Sequence, residues 1–190
     1  MTRILGIDPG LAHTGYGIIQ IQNGKYRYIA HGVIKTPAGD STGKRLSAVY
    51  RTICDLIDEY RPEEAGIEAL YFARNISSAL PVAQAKGVIL LALEERHIPC
   101  REYPPQAIKQ AVVGRGRADK GQVQELVRIL LGLNNLTLPD HASDALGAAI
   151  CHYHTCASLS LIEGRGTPEK GNSAGRRNPR GRKAQGGDDV

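Results

Sequence analysis

RILGIDPGLAHTGYGIIQIQNGKYRYIAHGVIK, residues 3–35, holds three strand-like runs in immediate succession. Arg3 to Ile7 is short and apolar and stops at Asp8-Pro9-Gly10, a turn signal. Tyr16 to Ile21 and Tyr26 to Lys35 are rich in β-branched and aromatic residues. Asn23-Gly24 between them is the strongest short hairpin signal, because both residues tolerate the positive φ of a type I′ turn. The chain is therefore expected to open with a three-strand antiparallel meander.

Outward from this unit the period changes. Leu46, Val49, Ile53, Leu56, Ile57 and Tyr60 recur at helical spacing, and Arg61-Pro62 stops that helix. Ala65 to Leu70 is expected as a buried strand carrying Glu68 in its middle. Ser77 or Ser78 is expected to cap a second helix that tolerates Pro81 in its first turn and runs to about Arg96. Cys100 to Tyr103 forms a fifth strand. Helices follow at Pro105–Val113 and Lys120–Leu131, with Gly114-Arg115-Gly116-Arg117 as a basic loop between them, and a last helix spans Asp140 to Ala157. The expected fold is α/β: a five-stranded mixed sheet, the meander plus two parallel strands, flanked by helices. One domain, residues 1–163, is followed by a Gly/Arg-rich tail, 164–190, without apolar periodicity and expected to be disordered.

The formal net charge is +5, but its location decides its meaning. The tail holds seven Lys/Arg against three acids; the first 163 residues hold 17 against 16. The folded part can attract a polyanion only if its basic residues are gathered on one face. Lys109, Arg115, Arg117 and Lys120 are the candidates for such a patch. Cys54, Cys100, Cys151 and Cys156 form no paired framework, so they are read as reduced thiols of a cytoplasmic protein. The first apolar run is too short for a signal peptide, and Val88 to Leu93 is too short to cross a bilayer, so no membrane association is expected.

Three acids stand where acids are unexpected. Asp8 ends a buried strand, Glu68 interrupts the apolar run Gly66-Ile67-Glu68-Ala69-Leu70, and Asp144 breaks the small apolar face Ala142 to Ala149. A carboxylate in such surroundings needs a cation or a hydrogen-bond network. Ala142, Ala145, Gly147 and Ala148 would let the last helix lie close to the sheet and bring Asp144 to the other two. Clustered carboxylates bind hard divalent cations through oxygen, and two such ions about 3.5–4 Å apart can act on one phosphodiester. A fourth ligand is expected within Asp140-His141-Ala142-Ser143-Asp144, where helical spacing leaves Asp140 and His141 both open. Cys151, His152, His154 and Cys156 have zinc-like chemistry. On a continuous helix, however, they spread around the circumference and cannot all converge.

The ordered set Ile4-Leu-Gly-Ile-Asp-Pro-Gly10, Thr14-Gly-Tyr-Gly17, Ile67-Glu68, Gln84-Ala-Lys-Gly87, Lys109-Gln-Ala-Val-Val-Gly114, Ala118-Asp-Lys-Gly-Gln-Val123 and Ser143-Asp-Ala-Leu146 resembles the RuvC family of bacterial Holliday-junction resolvases. The resemblance runs from residue 3 to about residue 157. It implies a ribonuclease H-like fold and a homodimer in which each subunit nicks one strand of a four-way junction. It also implies Mg²⁺ or Mn²⁺, two ions per site, and association with the branch-migration proteins RuvA and RuvB. The family's acidic positions fall on Asp8, Glu68, position 141 and Asp144. Position 141 is His here, where many relatives carry Asp. As a ligand, His141 would suit manganese better than magnesium, so Mn²⁺ is expected to support cleavage at least as well as Mg²⁺; alternatively it orients or deprotonates the attacking water. The resemblance further places Tyr71, within Tyr71-Phe72-Ala73-Arg74-Asn75, where an aromatic stacks on an unpaired base near the crossover. Lys109 and Lys120 match positions that contact DNA or the reacting phosphate.

Three rivals share parts of this pattern. An actin-like ATPase also opens Gly-Ile-Asp-x-Gly but needs a second phosphate segment in a second domain, for which 190 residues leave no room. A junction-binding module without activity would not need the acids. A nuclease of RNA–DNA hybrids would differ in substrate.

Overall fold

The computed structural model describes residues 1–70, 76–116, 118–133 and 136–163. Its sheet is built from β1 (Thr2–Asp8), β2 (His13–Gln22), β3 (Lys25–Lys35), β4 (Glu64–Glu68) and β5 (Cys100–Tyr103), in the order β3-β2-β1-β4-β5. β1–β2 and β2–β3 are antiparallel; β1–β4 and β4–β5 are parallel. The expected mixed sheet is thus present. Asn23 and Gly24 carry φ of 52° and 73°, the backbone a tight type I′ hairpin requires.

The helices are α1 (Thr42–Tyr60), α2 (Ile76–Glu95), α3 (Pro105–Val113), α4 (Lys120–Leu130) and α5 (Asp140–Glu163). Ser41 caps α1 by accepting from the Lys44 amide, and left-handed Arg61 ends it ahead of Pro62. α2 starts two or three residues earlier than its serines suggested, so Pro81 sits in the second turn and Ser77 and Ser78 lie within the helix. α5 continues beyond Ala157 to Glu163. Among the described residues no helix is long and apolar enough to cross a membrane.

Strand alternation divides the core in two. Leu5, Ile7, Ile18, Ala65 and Ile67 pack with Val49 and Ile53 of α1 and Ile89 and Leu93 of α2. Ile4, Ile19 and Ile21 face the other way, onto Ile108 of α3, Val123 of α4 and Leu146 and Ile150 of α5. The sheet is therefore the middle layer of three.

α5 lies directly on this second face because the sheet presents glycines there. A Cβ on Gly6 would stand 1.9 Å from the Ala145 carbonyl oxygen, and one on Gly15 1.9 Å from that of His141. On Gly66 it would stand 2.7 Å from that of Ala148. Ala142, Ala145 and Ala148 are fully buried against the sheet, as their size suggested. Gly147 is instead turned toward Ile108 of α3. The α5 axis runs along β4: Asp144 reaches Glu68, Ala148 covers Gly66 and His152 bonds Glu64. Eight helical residues rise about 12 Å and four strand residues about 13 Å, so the two ladders stay in step.

Candidate active site

β1 and β4 are parallel with Gly6 opposite Gly66 and Ile7 opposite Ile67, so Asp8 and Glu68 end neighbouring strands at one level. Glu68 is the last residue of β4, not its middle as the apolar run suggested. The reason is that the strand's partners stop there: β1 ends at Asp8 and β5 at Tyr103. Both acids share the face covered by α5, which delivers Asp144 at the start of its second turn. Carboxylate oxygens of Asp8, Glu68 and Asp144 all lie within 4.8 Å of one another.

This grouping is electrostatically unfavourable on its own. Burial, then the charges of Asp8 and Asp144, push the Glu68 carboxyl up to about 8. Burial likewise raises Asp8, against a hydrogen bond from His141, and raises Asp144, against the charge of Lys120. A donor set of three half-buried carboxylates facing one ammonium fits hard divalent cations, which would restore the ionised forms.

Lys120 enters from the first turn of α4, whose N-cap Asp119 accepts from the Gln122 amide at 2.9 Å. Its Nζ lies 3.0 Å from Asp140 Oδ2 and 3.5 Å from Asp144 Oδ2. Burial would lower the Lys120 ammonium, but Asp140 and Asp144 hold it above its ordinary value. Asp140, the alternative fourth ligand, is turned to Lys120 and Gln124 and is not among the gathered carboxylates. Lys109 of α3 joins Glu68, Lys120 and Asp144 around a crevice of about 40 Å³. Arg115 is exposed and borders a separate groove between α3 and α4. Tyr71, Phe72, Arg74, Arg117 and the tail 164–190 lie outside the described residues.

His141 Nδ1 is 2.7 Å from Asp8 Oδ2, while its ring stacks on His13, the first residue of β2, with 5.5 Å between centroids and 7° between planes. His13 gives no local signal in the sequence; only the pairing of β1 with β2 brings it beside position 141. The strand glycines that admit α5 are a second feature missed, although Gly6, Gly15, Gly17 and Gly66 alternate as one face of a sheet would require.

Residues 4–152 match the family model described as crossover junction endodeoxyribonuclease RuvC. A relative of that name from Treponema pallidum is 47% identical over 161 residues, 85% of this chain and 82% of the relative. Another, from Chloroflexus aurantiacus, is 49% identical over 157 residues, 83% of this chain and 96% of the relative. Among solved structures, Thermus thermophilus RuvC in complex with Holliday junction substrate superposes with a TM-score of 0.80 at 31% identity, covering 84% of this chain and 98% of that one. With five strands in this order and three acids joined at their ends, the chain belongs to the RuvC family of crossover junction endodeoxyribonucleases.

Proposed function

We propose that the chain hydrolyses one phosphodiester in each of two strands of a four-way DNA junction, acting as a homodimer. The convergence of Asp8, Glu68 and Asp144 carries this reading, together with family membership. These three would hold the divalent ions, two per site, with Mg²⁺ or Mn²⁺ serving. When bound, such ions lower the pKa of a water and neutralise charge on the scissile phosphate. His141 is assigned to the proton of that water: Asp8 engages Nδ1 and leaves Nε2 to accept it. On this assignment oxygen alone holds the metal, and strict dependence on Mn²⁺ would return His141 to the ligand set.

Lys109 and Lys120 border the same crevice and are assigned to the phosphates flanking the cut. Lys109→Ala should lower the salt dependence of junction binding by about one charge; an unchanged slope would remove that role. Arg115 and Arg117 would extend the basic face, Tyr71 would stack on an unpaired base with Phe72 and Arg74 beside it, and the tail would add non-specific attraction. Tyr71→Ala cutting junctions at the normal rate would dismiss the stacking.

The dimer seam is assigned to α2. Ala85, Ile89, Ala92 and Leu93 are fully buried, whereas Leu80 and Leu91 are 61% and 51% exposed. Leu80, Gln84, Gly87 and Leu91 form one exposed stripe at helical spacing. Family membership extends the reading to a cytoplasmic site of action and to association with RuvA and RuvB, which co-purification would test.

The deciding comparison is cleavage of a four-way junction, a linear duplex and an RNA–DNA hybrid by the same preparation. Paired nicks confined to the junction are expected. Equal cutting of the hybrid would replace the junction resolvase by a general ribonuclease H-like nuclease.

A further inference from the structure

α5 touches β4 at two polar points. The first is the acidic site. At the second, about two helical turns further along, His152 Nε2 lies 2.8 Å from Glu64 Oε2 and 3.6 Å from Cys156 Sγ. These three ligand atoms lie within 4.8 Å of one another, on a helix pair spaced i, i+4 and a strand residue brought beneath it. His152 is 2% exposed, and its other nitrogen, Nδ1, is 3.0 Å from the Tyr103 hydroxyl of β5.

We propose that Glu64, His152 and Cys156 form a zinc site, with water as the fourth ligand, that fastens the second half of α5 to the start of β4. Bond lengths of about 2.3 Å to sulfur and 2.0–2.1 Å to nitrogen set an N···S edge of about 3.5 Å in a tetrahedral site. The observed 3.6 Å matches it. The Glu64–His152 separation would open by about half an ångström as the metal replaces the hydrogen bond between them. A buried imidazole satisfied by Tyr103 and Glu64 needs no thiol, so Cys156 at a coordination edge is the feature that points to a soft-ligand metal rather than a core hydrogen bond.

The proton changes balance. Zinc takes the lone pair of Nε2; the imidazole proton moves to Nδ1, where the Tyr103 oxygen accepts it, the outer-shell bond usual for a ligating histidine. The Cys156 thiol loses its proton to solvent. Thiolate and carboxylate together cancel the charge of the ion, which matters because Arg101 is near enough to act on both His152 and Cys156. Cys151 is buried and His154 is engaged with the Tyr26 hydroxyl at 2.7 Å, so only half of the helix's His/Cys group takes part.

The site is distinguishable from the acidic centre by its sulfur. Co²⁺ added to the full-length protein should give a near-ultraviolet thiolate-to-cobalt band, displaced by one equivalent of Zn²⁺. The band should persist in Asp8→Asn and vanish in Cys156→Ser. Zn²⁺ should raise the thermal midpoint of Asp8→Asn but not of Asp8→Asn combined with Cys156→Ser, and Cys156→Ser alone should leave junction cutting unchanged. A cobalt complex without that band, a band that survives Cys156→Ser, or equal Zn²⁺ stabilisation of Asp8→Asn and the double variant would overturn the proposal. None of these outcomes bears on the nuclease reading.

Discussion

His141 Nδ1 and Asp8 Oδ2 are 2.7 Å apart, across 133 residues of sequence and between the first turn of α5 and the end of β1. The bond fixes one edge of the imidazole while His13 lies parallel to its face. A side chain whose nitrogen and ring plane are both set is oriented before substrate arrives, which is what proton transfer in a transition state requires.

Replacing His141 by Ala should therefore slow single-turnover junction cutting by about 10²-fold while leaving junction binding intact. Quench-flow rates beside gel-shift affinities would measure this. A matching loss of binding would make His141 a structural contact of the complex instead.

The acids make metal-free stability depend on pH in an unusual direction. Glu68 is raised to about 8, and Asp8 and Asp144 are raised above their ordinary values. The folded protein thus holds protons that the unfolded chain has already released, so metal-free stability should fall as pH rises from the ordinary carboxylate range toward about 8. Saturating Mg²⁺ should add more stability at about pH 8 than at about pH 6, since it competes with those protons. Urea melts with EDTA or Mg²⁺ at both pH values would show it; a metal increment independent of pH would refute it.

Gly15→Ala places a methyl group 1.9 Å from the His141 carbonyl oxygen, a backbone atom that moves only with the end of α5. A stability cost of about 1–3 kcal/mol is expected. Activity should fall further than stability explains, because the displaced residue is His141 itself. Activity measured well below the melting temperature separates the two effects.

Leu80 and Leu91 lie on one exposed stripe of α2. Leu80→Glu with Leu91→Glu should turn a sedimenting dimer into a folded monomer, since like charges would meet across a symmetric seam. The monomer should nick one strand of a junction without the paired second cut. A dimer that persists would move the seam elsewhere.

Much of this was legible in the sequence for local reasons. The Asn23-Gly24 turn, the helical period through Leu46–Tyr60 and the terminators at Arg61-Pro62 act within a few residues, and the structure keeps each of them. Asp8, Glu68 and Asp144 stood out because each breaks an apolar pattern. What stayed hidden depends on pairing between distant segments. Glu68 ends its strand because β1 and β5 end there, and Asp140 is drawn away by Lys120 and Gln124 of α4. His13, and the meeting of Glu64 with His152, follow from sheet register and the seating of α5, which no local window contains.

Single-turnover cutting of a four-way junction by Asp8→Asn, compared with the wild type in saturating Mg²⁺, addresses the acidic cluster most directly. The substitution keeps the side chain's size and removes its charge. Junction binding should be retained and cutting lost by at least about 10²-fold. Cutting at near the wild-type rate would mean that the Asp8–Glu68–Asp144 group is not where the phosphodiester is broken.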